Sequence, residues 1–256
     1  MTQQIVCEIF TQYEDTVARC LESAGIEKLL SESRPVMLKP NLVNDSPFPV
    51  TTSPDFCQAV IHVIRKYTSA PIVIAEGSGD AHLETTEIFS RLGYTSLDRQ
   101  LDIKLIDLNH EPLRKLKNRS CRVFPEMWLP EAVFHHILIS LPVLKAHSLS
   151  DMTGSLKNMI GIAPPEHYSG QYGTWKKAVF HNRINQSIVD LNRYRTPDFT
   201  IMDATVGLAD YHLGGRHCDP PVNRIIAGFD ARQIDRTAAG LLGMSWEKIP
   251  YLCEEL

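Results

Sequence analysis

The chain has 256 residues, 43% of them apolar, and a formal net charge of −4, so it can bury a sizeable core. Both charge signs are interspersed and no basic stripe or nucleic-acid motif occurs, so no nucleic-acid partner is expected. No run approaches the ~18 apolar residues of a membrane span, and MTQQIVCEIFTQYED lacks the basic and apolar regions of a signal peptide, so a cytoplasmic protein is expected.

In chain order, Ile5–Phe10 reads as a strand. Glu14–Leu30 has helical spacing, with Val17, Leu21, Leu29 and Leu30 on one face. PVMLKPN (Pro35–Asn41) is a short apolar strand. Ser53 and Pro54 supply an N-cap and an N1 proline for the helix of Val60, Val63 and Ile64. APIVIAEGSGD (Ala70–Asp80) is a strand running into a glycine turn, followed by a helix over Thr85–Leu92 and a strand over Ile103–Leu108. Arg114–Pro130 breaks the alternation and fits an antiparallel hairpin or an edge. Ile137–Val143 is apolar throughout, as strands covered on both faces are. Ser150 is expected to cap a helix with Asp151 in its first turn and Met152, Leu156, Met159 and Ile160 as its buried stripe. A helix over Ile184–Tyr194, strands over Phe199–Asp203 and Ile225–Gly228, and a helix over Asp230–Leu242 complete the chain. The alternation predicts one α/β domain over 1–256, its sheet mainly parallel or mixed, with helices on both faces. Pro164–Ala178 predicts a lid loop with Gly170 and Gly173 as hinges and Glu166, His167, Tyr168 and Tyr172 to close over a ligand.

In open α/β sheets ligands bind beyond the carboxyl ends of the strands. There the chain places Lys39 and Asn41, then Glu76, Ser78 and Asp80, then Lys145 and His147, then Asp203. Four strands ending in ionisable groups predict one polar rim. Lys157 lies about 100° round the helix from Leu156, so it borders the buried face and leans toward the helix start. Gly154 and Ser155 leave N–H groups there for a carboxylate or phosphate. Neither GxxxxGK[ST] nor GxGxxG occurs, so nucleotide binding has little support. The six cysteines form no CxxC and no two lie within ten residues, which argues against a zinc ribbon or an intrinsic iron–sulfur cluster.

Several stretches resemble the bacterial and archaeal family called domain of unknown function 362. They are VMLKPNLV (36–43), IVIAEGSGD with TTEIFSRLGY (72–94), LISLPVLKAHSLSDMTGSLKNMIGI (138–162), HNRINQSIVDLN (181–192), IMDATVGLADYHLGG (201–215) and IIAGFDARQIDRTAAGLLG (225–243). Many members carry an added ferredoxin-like domain with two iron–sulfur clusters; the cysteines here do not supply its motif. A more distant likeness is to the N-terminal domain of nickel-pincer lactate racemases, which have a histidine, a glycine seven residues on and a lysine ten residues on. His147, Gly154 and Lys157 keep that spacing. The resemblance implies an acid/base role for His147 and a cofactor-joined lysine at 157. It implies a metal ligand at His181, with His167 competing. Gly79 stands where those racemases have their other catalytic histidine, so Asp80 or His82 would have to substitute.

The expected function is an enzyme acting on a small anionic, carboxylate-like substrate by proton transfer or related lyase or isomerase chemistry. Lys39 and Lys157 would balance the charge, Asn41 would orient the substrate, and His147 would move a proton with Lys145, Lys157 or Asp80. Substrate contacts would come from Lys39, Asn41, Glu76, Ser78, Gly154, Ser155 and Asp203. Two alternatives stay open: a divalent-metal or cofactor-dependent redox protein with His147, His181 and Glu76 or Asp203 as ligands, and a binding module presenting 164–178. The sequence fixes neither the cofactor, nor the oligomeric state, nor a redox partner.

Overall fold

The structure is a computed structural model and describes residues 5–32, 34–170 and 176–256. Its strands are β1 (Val6–Ile9), β2 (Val36–Pro40), β3 (Ile72–Glu76), β4 (Lys104–Asp107), β5 (Leu113–Lys117), β6 (Glu126–Pro130), β7 (Ile137–Leu141), β8 (Val143–His147), β9 (Asp151–Thr153), β10 (Phe199–Leu208) and β11 (Arg224–Gly228). Its helices are α1 (Tyr13–Ala24), α2 (Glu27–Leu30), α3 (Pro54–Ile64), α4 (Thr85–Arg91), α5 (Thr95–Leu101), α6 (Ala132–His135), α7 (Ser155–Asn158), α8 (Pro165–Tyr168), α9 (Ile184–Tyr194), α10 (Ala231–Leu241) and α11 (Pro250–Cys253).

The main sheet runs β1-β11-β10-β7-β2-β3-β4, with β8 on β10 and β9 on β8. The pairs β2–β3, β2–β7, β3–β4 and β7–β10 are parallel; β11 is antiparallel to both β10 and β1. This is the mainly parallel α/β sheet that the alternation predicts. Strand parity sorts the core into two layers. Val36, Leu38, Ile72, Ile74, Ile137 and Ile139 face α1 and α3. Met37, Val73, Leu138 and Met202 face α7, α9 and α10.

Several elements differ from their predicted form for local reasons. The helix predicted over 14–30 divides at Gly25, which takes φ +78° and returns its N–H to Glu22 and Leu21. The apolar run 137–143 is two strands, because Pro142 has no N–H for the ladder. Arg114–Pro130 holds a separate antiparallel pair, β5–β6. Ser150 caps no helix. Asp151 turns left-handed at φ +64°, Asp151–Thr153 pairs with β8, and α7 starts after Gly154.

Beneath the carboxyl ends of β2 and β3 lies a buried ion pair. Lys39 Nζ donates to both Glu76 oxygens, at 2.9 and 2.8 Å, and to Asn158 Oδ1 at 3.2 Å. Glu76 also accepts from the N–H groups of Leu42 and Gly77. Asn158 Nδ2 donates to the Lys39 carbonyl and to Ser140 Oγ. A Cβ on Gly161 would sit 2.0 Å from Glu76 Oε1 and 2.6 Å from Lys39 Nζ, so only glycine lets the chain pass over the pair. Burial pushes the Lys39 ammonium down, and the Glu76 carboxylate opposes that shift. Lys39→Met strands the Glu76 charge and should cost about 3–5 kcal/mol in urea unfolding. Adding Glu76→Gln should cost less than the two single changes summed. A single-variant loss under about 1 kcal/mol would show that the pair does not hold the strand ends together.

Candidate functional site

A cavity of about 290 Å³ opens at the carboxyl ends of the parallel strands. Its walls come from Asn41–Asn44 after β2, Gly79–His82 after β3, His147 at the end of β8, Lys157 and Asn158 on α7, and Lys177, His181 and His212. The topology brings these distant segments together at the sheet edge where α/β proteins place ligands.

Lys157 is the amine that the fold leaves unpaired. Among the described residues no group lies within hydrogen-bonding distance of its Nζ, whereas Lys39, Lys145 and Lys177 are each tied down. Lys145 donates to the Val50 carbonyl. Lys177 donates to Asn109 Oδ1 at 2.6 Å and to the carbonyls of Ala163 and Gly161. Burial lowers Lys157 to about 8. Burial, with repulsion from Lys157, lowers Lys145 to about 7. Burial also brings Lys177 to about 7, with Glu76 opposing.

Burial favours the neutral form of His147, His181 and His212. Burial first, then Lys157 and the neighbouring imidazoles, depress His147 to about 2. Burial and Lys157 depress His212 to about 3. The two rings stack with centroids 3.8 Å apart. The Leu149 N–H donates to His147 Nδ1 at 3.1 Å, so the ring proton sits on Nε2. His181 is set the other way. Its Nδ1 meets the Lys177 carbonyl at 3.2 Å and must donate, which places the lone pair on Nε2.

Of the expected site residues, Asn41, Glu76, Asp80, His147, Lys157 and His181 line this cavity. Asp80 spends Oδ1 on the N–H groups of His82 and Leu83. The others lie elsewhere. Lys39 is spent on Glu76, and Lys145 on Val50. Ser78 Oγ donates to the Val43 carbonyl. Asp203 shares strand parity with Ile201, so it faces α1, where Tyr13 donates to it at 2.6 Å. The N–H groups of Ser155 and Leu156 are filled by Asp235 at 2.6 and 3.0 Å. A Cβ on Gly154 would lie 2.3 Å from that carboxylate, so Gly154 and Ser155 hold Asp235 rather than line the cavity. His167 stacks on Trp128 at 5.0 Å. Tyr168 is buried against Phe124 and Phe180, so α8 docks on the core. Residues 171–175 of the predicted lid, with Tyr172 and Gly173, lie outside the described residues.

Lys177, His212 and Asn158 line the cavity without having been expected. Asn158 sits one residue after Lys157 and had a readable signal in its place beside that lysine. Lys177 and His212 come from irregular segments with no periodicity to orient them.

The family profile for Domain of unknown function (DUF362) matches residues 36–240. The chain belongs to this family. A curated relative is the thylakoid-associated protein sll1697 of Synechocystis sp. (strain ATCC 27184 / PCC 6803 / Kazusa), 24% identical over 249 residues, covering 90% of this chain and 70% of the relative. Among solved structures, the lactate racemase apoprotein from Thermoanaerobacterium thermosaccharolyticum superposes with a TM-score of 0.58 at 17% identity. The match covers 92% of this chain and 56% of that one, and it shows a shared fold. A Thermotoga maritima protein matches with a TM-score of 0.43 at 12% identity, over 87% of this chain and 58% of its own. No helix among the described residues is long and apolar enough to cross a membrane.

Asp235 makes the site sensitive to pH through the start of α7. Burial raises its carboxyl to about 7, while the N–H groups of Leu156 and Ser155 oppose the rise. The folded state therefore holds this proton well above the ordinary carboxylate value of 3.8. The resulting stability is present in full below that value and is lost as the pH rises through about 7. Asp235→Asn removes the titration. Across about pH 4 to 8 the wild type should lose melting temperature relative to the variant. A difference that stays constant over that range would show that Asp235 titrates normally.

Proposed function

We propose that the protein is an enzyme that moves a proton next to a carbonyl group of a small carboxylate. The observation that carries this reading is the unpaired Lys157 amine in the cavity. The side chain is half-buried and lines the cavity, so a ligand there can reach its amine. With a value near 8, Lys157 alternates between amine and ammonium close to neutrality. It takes the proton from carbon and can return it. His147 is too depressed to serve as the base expected from its ordinary titration. As a neutral ring with its proton on Nε2, it offers a hydrogen bond to the substrate oxygen, where charge develops. Asn41 lines the same wall, and its buried Oδ1 has no partner among the described residues, so it stays available to orient a donor group.

A second reading is favoured by one observation. An imidazole that donates Nδ1–H to a carbonyl is arranged as metal-binding histidines commonly are, and His181 is so arranged. The donor set around it is sparse. Glu76 is held by Lys39 and Asp203 by Tyr13, and among the described residues the cavity histidines form no cluster of three ligand atoms. These residues do not assemble a metal site by themselves, so no step is routed through a metal. Metal analysis of protein purified without chelator separates this reading from the first.

The test is proton exchange at the carbon next to the carbonyl, followed by NMR in D2O with a panel of small 2-oxo and 2-hydroxy carboxylates. Exchange should rise with pH up to about 8, as the Lys157 amine is freed, and then level off. Lys157→Met should lower it by at least about 100-fold. Its melting temperature should stay level or rise, because a buried unpaired charge is gone. Undiminished exchange in that variant would overturn the proposal.

A further inference from the structure

We propose that the ligand is amphipathic: its carboxylate head enters the cavity and its aliphatic tail leaves across an apolar collar of Leu149, Tyr211 and Leu213. This rests on the anion reading of the cavity and names the class of anion. Leu149 is 54% exposed, Tyr211 44% and Leu213 38%. They are half of the large apolar side chains that the described residues leave bare; the others are Ile9, Tyr67 and Leu256. They are also the ones tied to the cavity. Leu149 follows β8 and donates its N–H to the His147 ring. Tyr211 packs its ring 4.9 Å from that of His212. Leu213 is part of the cavity wall itself. The stacking of His147 on His212, at 3.8 Å, holds the two turns side by side.

Volume and charge identify what covers this collar. About 290 Å³ is at the foot of the range for small-molecule sites, roughly 300–1,000 Å³, and at about 30 Å³ per water-sized group it takes a carboxylate head and roughly six to eight further carbons. The interior is cationic at Lys157, while Leu42, Val43, Ile160 and Leu213 add an apolar wall. A ligand longer than the cavity must pass out over bare apolar surface. Leu213 carries the apolar wall of the cavity out to bare surface, beside the turns that hold Leu149 and Tyr211.

The experiment is calorimetric titration of the whole protein with straight-chain acids from acetate to dodecanoate, below micellar concentration. Once the cavity is filled, affinity should rise by about two- to four-fold for each added methylene. Leu149→Ser with Tyr211→Ser should flatten that rise and leave acetate and propionate binding unchanged. Both side chains are exposed, so the variant should fold as the wild type does. A flat series with acetate binding still dependent on Lys157 would overturn the collar and leave the small-anion reading intact. A rise unchanged in the double variant would also overturn it. If no acid of any length binds through Lys157, the anion reading falls and the collar with it. Phosphatidylglycerol vesicles give the last arm. Co-sedimentation that the double variant loses, with no chain-length effect for free acids, would make the collar a membrane-facing surface and overturn the proposal.

Discussion

The cavity depends on a buried ion pair at its floor. Lys39 and Glu76 stand at the ends of adjacent parallel strands, and each is fully desolvated. Such a pair is tolerable only when its remaining donors and acceptors are met. Here Asn158, the Leu42 N–H and the Gly77 N–H meet them, so the pair also fixes α7 and both strand-end turns. Gly161 must be glycine to cross it. The cavity wall therefore inherits its shape from a charge contact beneath it. Two charges that look like ligand-binding groups in the sequence cancel each other.

That cancellation shapes the field above. Lys157 and Lys177 line the cavity, Lys145 lies outside it on the Val50 carbonyl, and burial lowers all three. The nearby acids are committed elsewhere: Glu76 to Lys39, Asp203 to Tyr13 and Asp235 to the start of α7. Lys145 and Lys177 disperse their charge onto carbonyls and an amide, while Lys157 has no such outlet. The support for an anionic ligand therefore rests on Lys157 itself, since Glu76 and Asp80 also line the cavity.

The sequence made the sheet legible, because apolar runs with polar ends report both burial and the rim. Asn41, Glu76 and His147 were found that way, and Lys157 by its place beside the buried stripe of its helix. Strand ends limit the method: the strand read as ending at Asp203 runs on to Leu208, and the Asp203 carboxylate is held by Tyr13 instead of reaching the cavity. Long-range partners limit it further. The open helix start at Gly154 reads as an anion site because nothing local fills it, yet Asp235, eighty positions on, does. His212 and Lys177 come from irregular segments whose placement only the assembled fold decides. Asp151 shows the same limit locally: its left-handed turn makes a hairpin where residue types alone favour a helix cap.

The two histidines flanking this arrangement make opposite offers. A backbone N–H fixes the His147 proton on Nε2, and a backbone carbonyl fixes the His181 lone pair on Nε2. Both rings are held neutral by burial and by Lys157. Fixed tautomers matter because a neutral imidazole can donate or accept at one nitrogen but not both. A site with His147 as donor and Lys157 as the titrating base divides the work of proton transfer. One group steadies charge at oxygen without changing its protonation, and the other carries the proton. Two stacked imidazoles, His147 and His212, meet one another on a shared face. They therefore do not flank a carbon from opposite sides, and in the proposed reaction a lysine rather than a second histidine complements His147.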